Sequence, residues 1–326
     1  MSRYLLTGCA GFIGARVAEL LLDRGDEVVG VDDLNDAYDV RLKDWRLARL
    51  VSRAGFTFRR GDIRDRGFVD SLSEGSGAAF GAVVNLAARA GIRPSVTNPY
   101  VYYETNVLGT LNLLELCRAR EISRFVLASS SSVYGDAKEM PFREDAPLGR
   151  PLSPYAASKR AAEDICATYH GLHGIATTAL RFFTVYGPAG RPDMSPFRFT
   201  QWISEGRPLV LYGDGSQRRD FTYVDDIADA TVRSLDLGGF HILNVGSDHP
   251  VPLIEAIRKL EALIGKTARI DQRPANPADA PATWADVGQA AETLHWQPKT
   301  GIDEGLGSLV RWYAENRSWA QAVMTS

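Results

Sequence analysis

Residues 3–14 read RYLLTGCAGFIG, an apolar run followed by glycines at positions 8, 11 and 14. A helical pattern of apolar residues begins directly after them, at Ala15. A strand, a glycine turn and a helix in this order predict a dinucleotide-binding unit. The first glycine allows a tight turn, the second admits phosphates close to the backbone, and the third lets helix and strand pack closely. The helix N-terminus offers N–H groups and a partial positive charge to the anion.

The next apolar strand carries an acid at its end. It covers residues 27–31 and leads into Asp32, about 20 residues beyond the glycines, as in other dinucleotide sites. A carboxylate here accepts hydrogen bonds from the adenosine ribose hydroxyls and repels a 2′-phosphate. Asp33 follows and adds to that repulsion. The pattern therefore predicts NAD rather than NADP as the cofactor.

Composition narrows the class of protein. The 326 residues are 45% hydrophobic and carry a formal net charge of −3, so the chain can bury a large core. It has no long basic or acidic run and no apolar run of membrane-spanning length, which weighs against nucleic acid and membrane partners. Three scattered cysteines, at positions 9, 117 and 166, indicate reduced thiols in a cytoplasmic protein and no metal site.

Strand-like and helix-like segments alternate through the first half of the chain. Strands are predicted at 4–6, 27–31, 56–60, 82–86, 124–128 and 175–180, and long helices at 100–120 and 154–170. This rhythm predicts an α/β fold with a doubly wound parallel sheet, of the Rossmann type, covered by helices on both faces. Ligands of such sheets bind at the carboxyl ends of the strands.

The second half is less regular. Residues 1–181 are predicted to form the NAD-binding domain, and 222–246 to return to it through a helix and a strand at 241–245. Most of 182–326 should form a smaller, interleaved C-terminal lobe that binds the substrate. Within it we expect a loop at 188–196, a helix at 197–205, a strand at 209–212 and loops at 213–220 and 273–286.

Tyr155 and Lys159 lie four residues apart in a predicted helix and therefore share one face. An ammonium group beside a phenol lowers the pKa of the tyrosine, which makes it a usable base near neutrality. The preceding strand ends in four serines, of which Ser130 is predicted to share the substrate's proton. The other three, Ser129, Ser131 and Ser132, remain alternatives, because serines at strand ends also satisfy backbone groups.

These features together resemble the extended short-chain dehydrogenase/reductase superfamily. The matching motifs are TGCAGFIG, GDIRD, NLAA, SSSSVYG and the Tyr155–Lys159 pair, in that order over essentially the whole chain. The resemblance implies an enzyme in which Tyr155, Lys159 and Ser130 are catalytic. The residues expected to bind NAD are Gly8, Gly11, Phe12, Ile13, Gly14, Asp32, Asn35, Asp62, Ile63, Ala87, Ala88, Tyr155 and Lys159. It also implies that Asn106 supports the site and that the two long helices pair in a homodimer.

Within the superfamily the likeness is greatest to the UDP-glucuronate 4-epimerase family, through DDLNDAYDVRLK, AARAGIRPSV and LRFFTVYGPAGRPDMSPF. This likeness implies inversion at C4 of a UDP-linked uronate through a 4-keto intermediate. An arginine fork suits a carboxylate, so Arg191 is the first candidate to hold the uronate and Arg93 the second; an exposed loop arginine is the alternative for Arg191. The expected substrate-binding residues are Arg93, Ser129, Ser130, Ser131, Thr184, Arg191, Arg219 and Asp279.

Other enzymes of the superfamily remain as alternatives. UDP-glucuronate decarboxylases and nucleotide-sugar 4,6-dehydratases usually carry acids before the Val-Tyr-Gly motif, where this chain has Ser131 and Ser132. Elimination across carbons 5 and 6 then lacks a proton donor. Thr184 stands where neutral-sugar 4-epimerases usually carry asparagine. A non-catalytic NAD-binding sensor would have lost the Tyr155–Lys159 pair, which is intact.

Overall fold

The computed structural model describes residues 1–73, 79–275 and 280–325. Its strands are β1 (Arg3–Thr7), β2 (Glu27–Asp32), β3 (Phe56–Arg60), β4 (Ala82–Asn85), β5 (Arg124–Ser130), β6 (Ala176–Phe182), β7 (Thr184–Tyr186), β8 (Pro208–Tyr212), β9 (Arg218–Tyr223), β10 (Phe240–Val245), β11 (Pro250–Pro252) and β12 (Arg269–Arg273). Each strand predicted in the first half of the chain is present, and so is the later strand that ends at Val245.

Seven of these strands form one parallel sheet in the order β10–β6–β5–β4–β1–β2–β3. The chain begins at the centre of the sheet and builds outward in one direction, then in the other. This confirms the doubly wound Rossmann fold. The strand order reverses between β1 and β4, and the carboxyl ends of these two strands mark the crevice where such sheets bind ligands.

Helices cover both faces of the large sheet and build much of the smaller lobe. They are α1 (Phe12–Asp23), α2 (Val40–Val51), α3 (Arg66–Ser71), α4 (Ile92–Thr97), α5 (Tyr100–Tyr103), α6 (Gly109–Ala119), α7 (Pro154–His173), α8 (Ser195–Ser204), α9 (Val224–Arg233), α10 (Leu253–Ile264), α11 (Gly288–Leu294), α12 (Ile302–Glu315) and α13 (Arg317–Ala320). Short 3₁₀ turns cover Ser131–Tyr134 and Ser234–Asp236. None of the helices in the described ranges combines the length and the apolar content needed to cross a bilayer.

The predicted long helix at 100–120 contains a wider turn. A π-helical turn at Glu104–Leu108 separates α5 from α6, and the Gly109 N–H donates to the carbonyl of Glu104, five residues back. Asn106 lies inside this turn and is 2% exposed. Its side-chain amide accepts from the Arg89 N–H at 2.9 Å and donates to the Ser158 hydroxyl on α7 at 2.9 Å. The turn therefore places the side-chain amide of Asn106 between the loop that follows β4 and helix α7.

The smaller lobe contains two small sheets, β11–β9–β7 and β12–β8, packed against α8, α10 and α12. The sequence did not predict β7, β11, β12 or α10, and the loop predicted at 213–220 was wrong in its last residues because β9 begins at Arg218. Pairing with β7 and β11 forms this strand despite its charged start. The carboxylate of Asp220, fully buried in β9, accepts the Ser247 and Ala285 N–H groups at 2.6 and 3.0 Å.

Candidate active site

The glycine turn between β1 and α1 is shaped for close contact. Gly8 has a φ of +72°, and a Cβ there would lie 2.7 Å from the Ala87 nitrogen. A Cβ on Gly14 would overlap the Gly8 carbonyl. Among the described residues, no side chain caps α1 at Gly11, so the N–H groups of its first turn, including those of Phe12 and Ile13, face the crevice end of the sheet. This cradle fits the pyrophosphate of a dinucleotide.

Asp32 closes the same crevice from β2. Its carboxylate accepts the Ala10 N–H at 3.1 Å and the Leu34 N–H at 2.9 Å, which fixes its orientation beside the glycine turn. The buried Lys43 on α2 places its Nζ 3.4 Å from Asp32 Oδ1. Asn35 donates to the Asp33 carboxylate through its backbone at 3.0 Å and its side chain at 2.6 Å. Sequence reasoning missed Lys43, because nothing in its helix distinguishes it from a surface lysine.

The loops after β3 and β4 supply the remaining candidates for the cofactor crevice. Asp62 and Ile63 follow β3, and Ile63 is buried against α6. Ala87 and Ala88 follow β4, and the Ala87 N–H donates to the Thr7 hydroxyl at 3.3 Å. All four residues therefore lie at the carboxyl ends of parallel strands, where sheets of this kind bind ligands.

Tyr155 begins α7 and is half-buried, with its phenol hydrogen-bonded to Ser130. Burial raises the pKa of this tyrosine, while the Ser130 hydrogen bond and the positive charge of Arg191 act to lower it. The sequence assigned that lowering to Lys159. In this structure the positive charge that lowers the pKa of the phenol comes instead from the loop that carries Arg191.

Lys159 lies one turn further along α7 and is 4% exposed. Its Nζ donates to the carbonyl of Ala128 on β5 at 2.7 Å, which holds α7 against the end of that strand. Burial lowers the pKa of Lys159 to about 8, and the carboxylate of Glu163 opposes this shift. A lysine with a pKa this close to neutrality can give up or regain a proton during a reaction.

The four serines after β5 differ in their surroundings. Ser129 is 3% exposed and donates to the carboxylate of Glu163. Ser130 contacts the phenol of Tyr155 and accepts the Ser132 N–H at 3.2 Å. The Ser132 hydroxyl is buried without a hydrogen-bond partner among the described residues, and Ser131 opens the 3₁₀ turn. Of the four, Ser130 is thus the one placed to share a proton with Tyr155; sugar contacts of Ser129 and Ser131 stay predictions.

Arg191 lies in the loop between β7 and α8. Its guanidinium forms a two-bond pair with Asp193, with Nε 3.1 Å from Oδ1 and Nη2 2.5 Å from Oδ2. Both side chains are less than one-third exposed. Because its charge acts on Tyr155, Arg191 is a partly buried cation at the crevice rather than an exposed loop arginine. Asp193 was not singled out from the sequence.

The other expected substrate residues lie on the smaller lobe or face it. Thr184 opens β7 and is in register with Phe221 on β9. Arg93, in the first turn of α4, stacks over the ring of Tyr212 at 4.2 Å, so it bridges toward the second lobe. Arg219 lies on β9 and donates to the Arg218 carbonyl at 2.8 Å. Asp279 lies outside the described residues.

A buried polar network supports the back of this site. Arg181, at the end of β6, donates to both carboxylate oxygens of Glu163 on α7, at 3.0 and 2.8 Å, and to the Tyr134 hydroxyl at 3.0 Å. Tyr134 in turn donates to Asn244 on β10 at 2.7 Å. Glu163 and Asn244 were not predicted from the sequence, because their partners lie on other strands and helices.

Comparisons with known proteins agree with this geometry. Residues 4–246 match the model of the NAD dependent epimerase/dehydratase family, so the chain belongs to that family and the resemblance found in the sequence is confirmed. A UDP-glucuronate 4-epimerase of Thermodesulfobacterium geofontis is 49% identical over 317 residues, which cover 97% of each protein. UDP-glucuronate 4-epimerase 1 of Arabidopsis thaliana is 40% identical over 330 residues, covering 95% of this chain and 76% of the plant protein.

Two solved structures share the whole fold. The UDP-glucuronic acid 4-epimerase of Bacillus cereus, in complex with UDP-glucuronic acid and NAD, matches with a TM-score of 0.90 and 33% identity, covering 96% of this chain and 99% of that one. A UDP-glucose 4-epimerase of Thermotoga maritima, solved with UDP-glucose, matches with a TM-score of 0.89 and 28% identity, covering 97% and 99%. The backbone fold alone therefore does not distinguish an enzyme for acidic sugars from one for neutral sugars. The side chains of the site must make that distinction.

Proposed function

We propose that this chain is an NAD-dependent 4-epimerase that interconverts UDP-glucuronate and UDP-galacturonate. The observation that carries the proposal is the placement of three side chains. Tyr155 is hydrogen-bonded to Ser130, and Arg191 adds a positive charge next to the same phenol. A proton-transfer pair with an arginine beside it fits a sugar that bears a carboxylate. The relatives named UDP-glucuronate 4-epimerase support this assignment.

In this proposal Tyr155 removes the proton of the sugar 4-hydroxyl, and Ser130 shares it. NAD, held at the glycine turn and Asp32, supplies the hydride acceptor and donor for C4 when bound. Lys159, whose pKa of about 8 lets it exchange a proton near neutrality, is proposed to contact the nicotinamide ribose. Arg191 supplies the positive charge that favours the ionised phenol. The 4-keto sugar then turns over, and Tyr155 returns the proton as C4 is reduced from the opposite face. No net oxidation results.

The uronate carboxylate needs restraint during this cycle. A 4-keto uronate is a β-keto acid and loses carbon dioxide readily. Arg191 is the proposed anchor: Asp193 takes one N–H each from Nε and Nη2, and the remaining N–H groups on Nη1 and Nη2 can hold both carboxylate oxygens. Arg93 is the second candidate. Thr184, on the strand that leads into the Arg191 loop, is a proposed hydroxyl contact. Arg219 and Asp279 are proposed to bind the diphosphate and the uridine ribose.

A homodimer is part of the proposal. The helical stretch from α5 to α6 leaves Tyr100, Tyr103 and Leu108 exposed by 78%, 43% and 52%. Exposed apolar residues on one helix are typical of a surface that packs against a second subunit. For the location of the protein, the reduced cysteines predicted from the sequence favour the cytoplasm.

The proposed reaction is tested by incubating the purified protein with UDP-glucuronate and following the sugar by proton NMR. Epimerisation predicts the appearance of UDP-galacturonate at unchanged total uronate. A UDP-pentose as the main product would identify a decarboxylase instead. Turnover of UDP-glucose with no turnover of UDP-glucuronate would identify a neutral-sugar epimerase and overturn the proposal.

A further inference from the structure

Arg46, on the inner face of α2, joins three separate segments through one guanidinium. Its Nη1 donates to the Ala10 carbonyl in the glycine turn at 3.1 Å and to the Tyr38 hydroxyl at 2.8 Å. Its Nη2 donates to the carbonyls of Ala189 and Gly190 at 2.6 and 3.3 Å, and Nε also reaches Ala189 at 3.1 Å. Arg46 is only 3% exposed. The rigid planar fork therefore fixes the distance between the glycine turn and the loop before Arg191.

The loop that Arg46 holds is under backbone strain. Ala189 has a φ of +52°, in the left-handed region that alanine enters only at a cost in free energy. Strained residues persist where the surroundings fix them, and here two N–H groups of Arg46 hold the Ala189 carbonyl. Arg191 follows two residues later, so a change at Ala189 moves the arginine that is proposed to hold the uronate.

The glycine turn and this loop also touch directly. A Cβ on Gly190 would lie 3.8 Å from the ring of Phe12, the first residue of α1, and 3.1 Å from the Gly187 carbonyl. The Arg46 guanidinium lies 5.8 Å from the centre of the same Phe12 ring. The pyrophosphate cradle and the loop that carries Arg191 are therefore packed against one another, with Arg46 as the hydrogen-bonded link.

We propose that Arg46 is a positioning residue that couples the two binding sites. A dinucleotide in the glycine turn immobilises Ala10 and Phe12, and Arg46 passes that restraint to residues 187–193, which sets Arg191 for an acidic sugar. By linkage, a carboxylate bound by Arg191 strengthens dinucleotide binding by the same factor. The inference rests on the proposed function for the identity of the sugar, but the coupling itself does not require turnover.

Hydrogen exchange tests the coupling without activity. The variant Arg46→Lys keeps the charge but loses the fork, and Arg49→Lys is the matched control, since Arg49 lies on the same helix and pairs at the surface with Glu19. Saturating NAD⁺ should slow amide exchange of residues 187–193 about tenfold in the wild type and in Arg49→Lys, the effect expected of one charged hydrogen-bonded contact. In Arg46→Lys, NAD⁺ should leave the exchange rates of those amides unchanged. Equal NAD⁺ protection in all three proteins would overturn the proposal.

Kinetics supply the second readout. Arg46→Lys should raise KM for UDP-glucuronate about tenfold, with kcat changed much less, because the substrate carboxylate meets a displaced Arg191. If the wild type is active and Arg46→Lys and Arg49→Lys have the same KM for UDP-glucuronate, Arg46 does not position Arg191. The proposed function would remain intact. An inactive wild type would reject the proposed function, and the exchange comparison would still decide the coupling.

A third variant covers the case in which Arg46→Lys does not fold. Tyr38→Phe removes one acceptor of the guanidinium and leaves the ring in place. We expect it to reduce the NAD⁺-dependent protection of residues 187–193 about threefold, less than Arg46→Lys does, because the guanidinium keeps its bonds to the Ala10 and Ala189 carbonyls. Full protection in a folded Tyr38→Phe protein would count against the link.

Discussion

Glu163 and Arg181 form a doubly hydrogen-bonded ion pair in which both side chains are less than 5% exposed. The pair joins α7 to the end of β6, one helical turn beyond Lys159. Removing the charge of one member of a buried pair leaves the other without compensation. The pair therefore matters for the position of the catalytic helix as well as for stability.

Glu163→Gln should lower the free energy of unfolding by about 3–5 kcal/mol, because Arg181 would keep its charge in a buried site. Urea unfolding measures this change. Asp145→Asn is the matched control, since Asp145 pairs with Arg143 and both are about 60% exposed. The control should leave the free energy of unfolding nearly unchanged, because solvent screens an exposed ion pair. If both variants lost the same free energy of unfolding, burial of the Glu163–Arg181 pair would not determine its contribution to stability.

Tyr155→Phe should reduce kcat by about 10²–10⁴-fold, the usual contribution of a positioned acid or base. Binding of NAD⁺ should persist, because the ring is retained. Tyr102→Phe serves as the control; its ring packs edge-on against Tyr155 at 6.1 Å and its hydroxyl donates to the Ala90 carbonyl. Stopped assays analysed by NMR give both rates. A Tyr155→Phe enzyme of nearly full activity would remove Tyr155 from the proposed chemistry.

Arg191→Ala should raise KM for UDP-glucuronate by about tenfold or more, as expected for loss of a charged two-bond contact, and increase the share of decarboxylated product. Chromatography of the nucleotide sugars separates UDP-galacturonate from the UDP-pentose. Arg191→Lys keeps the charge without the fork, so its KM and its share of decarboxylated product should fall between those of the wild type and those of Arg191→Ala. If kinetics and product ratio match those of the wild type, Arg191 does not hold the carboxylate.

The pKa of Lys159 predicts a dependence of stability on pH. Its pKa is about 8 in the folded protein and near 10.5 when unfolded, so between these values the unfolded chain binds more protons. Stability from this group therefore rises with pH across that window, by up to about 3 kcal/mol. Urea unfolding of the wild type and of Lys159→Met, at several pH values from 7 to 10.5, isolates the effect. As pH rises, the free energy of unfolding of the wild type should increase relative to that of Lys159→Met. If the two proteins change in parallel with pH, the prediction is wrong.

The central sheet could be predicted because its information is local. Apolar runs of strand length, the glycine turn before α1 and the Tyr155–Lys159 spacing each lie within a few residues of one another. The pair of Glu163 with Arg181 spans 18 residues and the Arg46 contact with Ala189 spans 143. Partners at such separations are set by how the sheet folds back on itself, and one sequence carries no signal for them. Strand β9 was missed for a related reason, because its pairing outweighs its charged residues.

The π-helical turn at Glu104–Leu108 has a consequence for redesign of this protein. An α-helix advances about 100° per residue, so one residue more in a turn changes the angular phase of everything that follows it. With that residue present, Tyr102 before the turn, Asn106 within it, and Leu113 and Cys117 after it are all buried. Deleting one residue to regularise the helix would rotate the two halves out of phase, so that a smoother backbone would bury the wrong side chains.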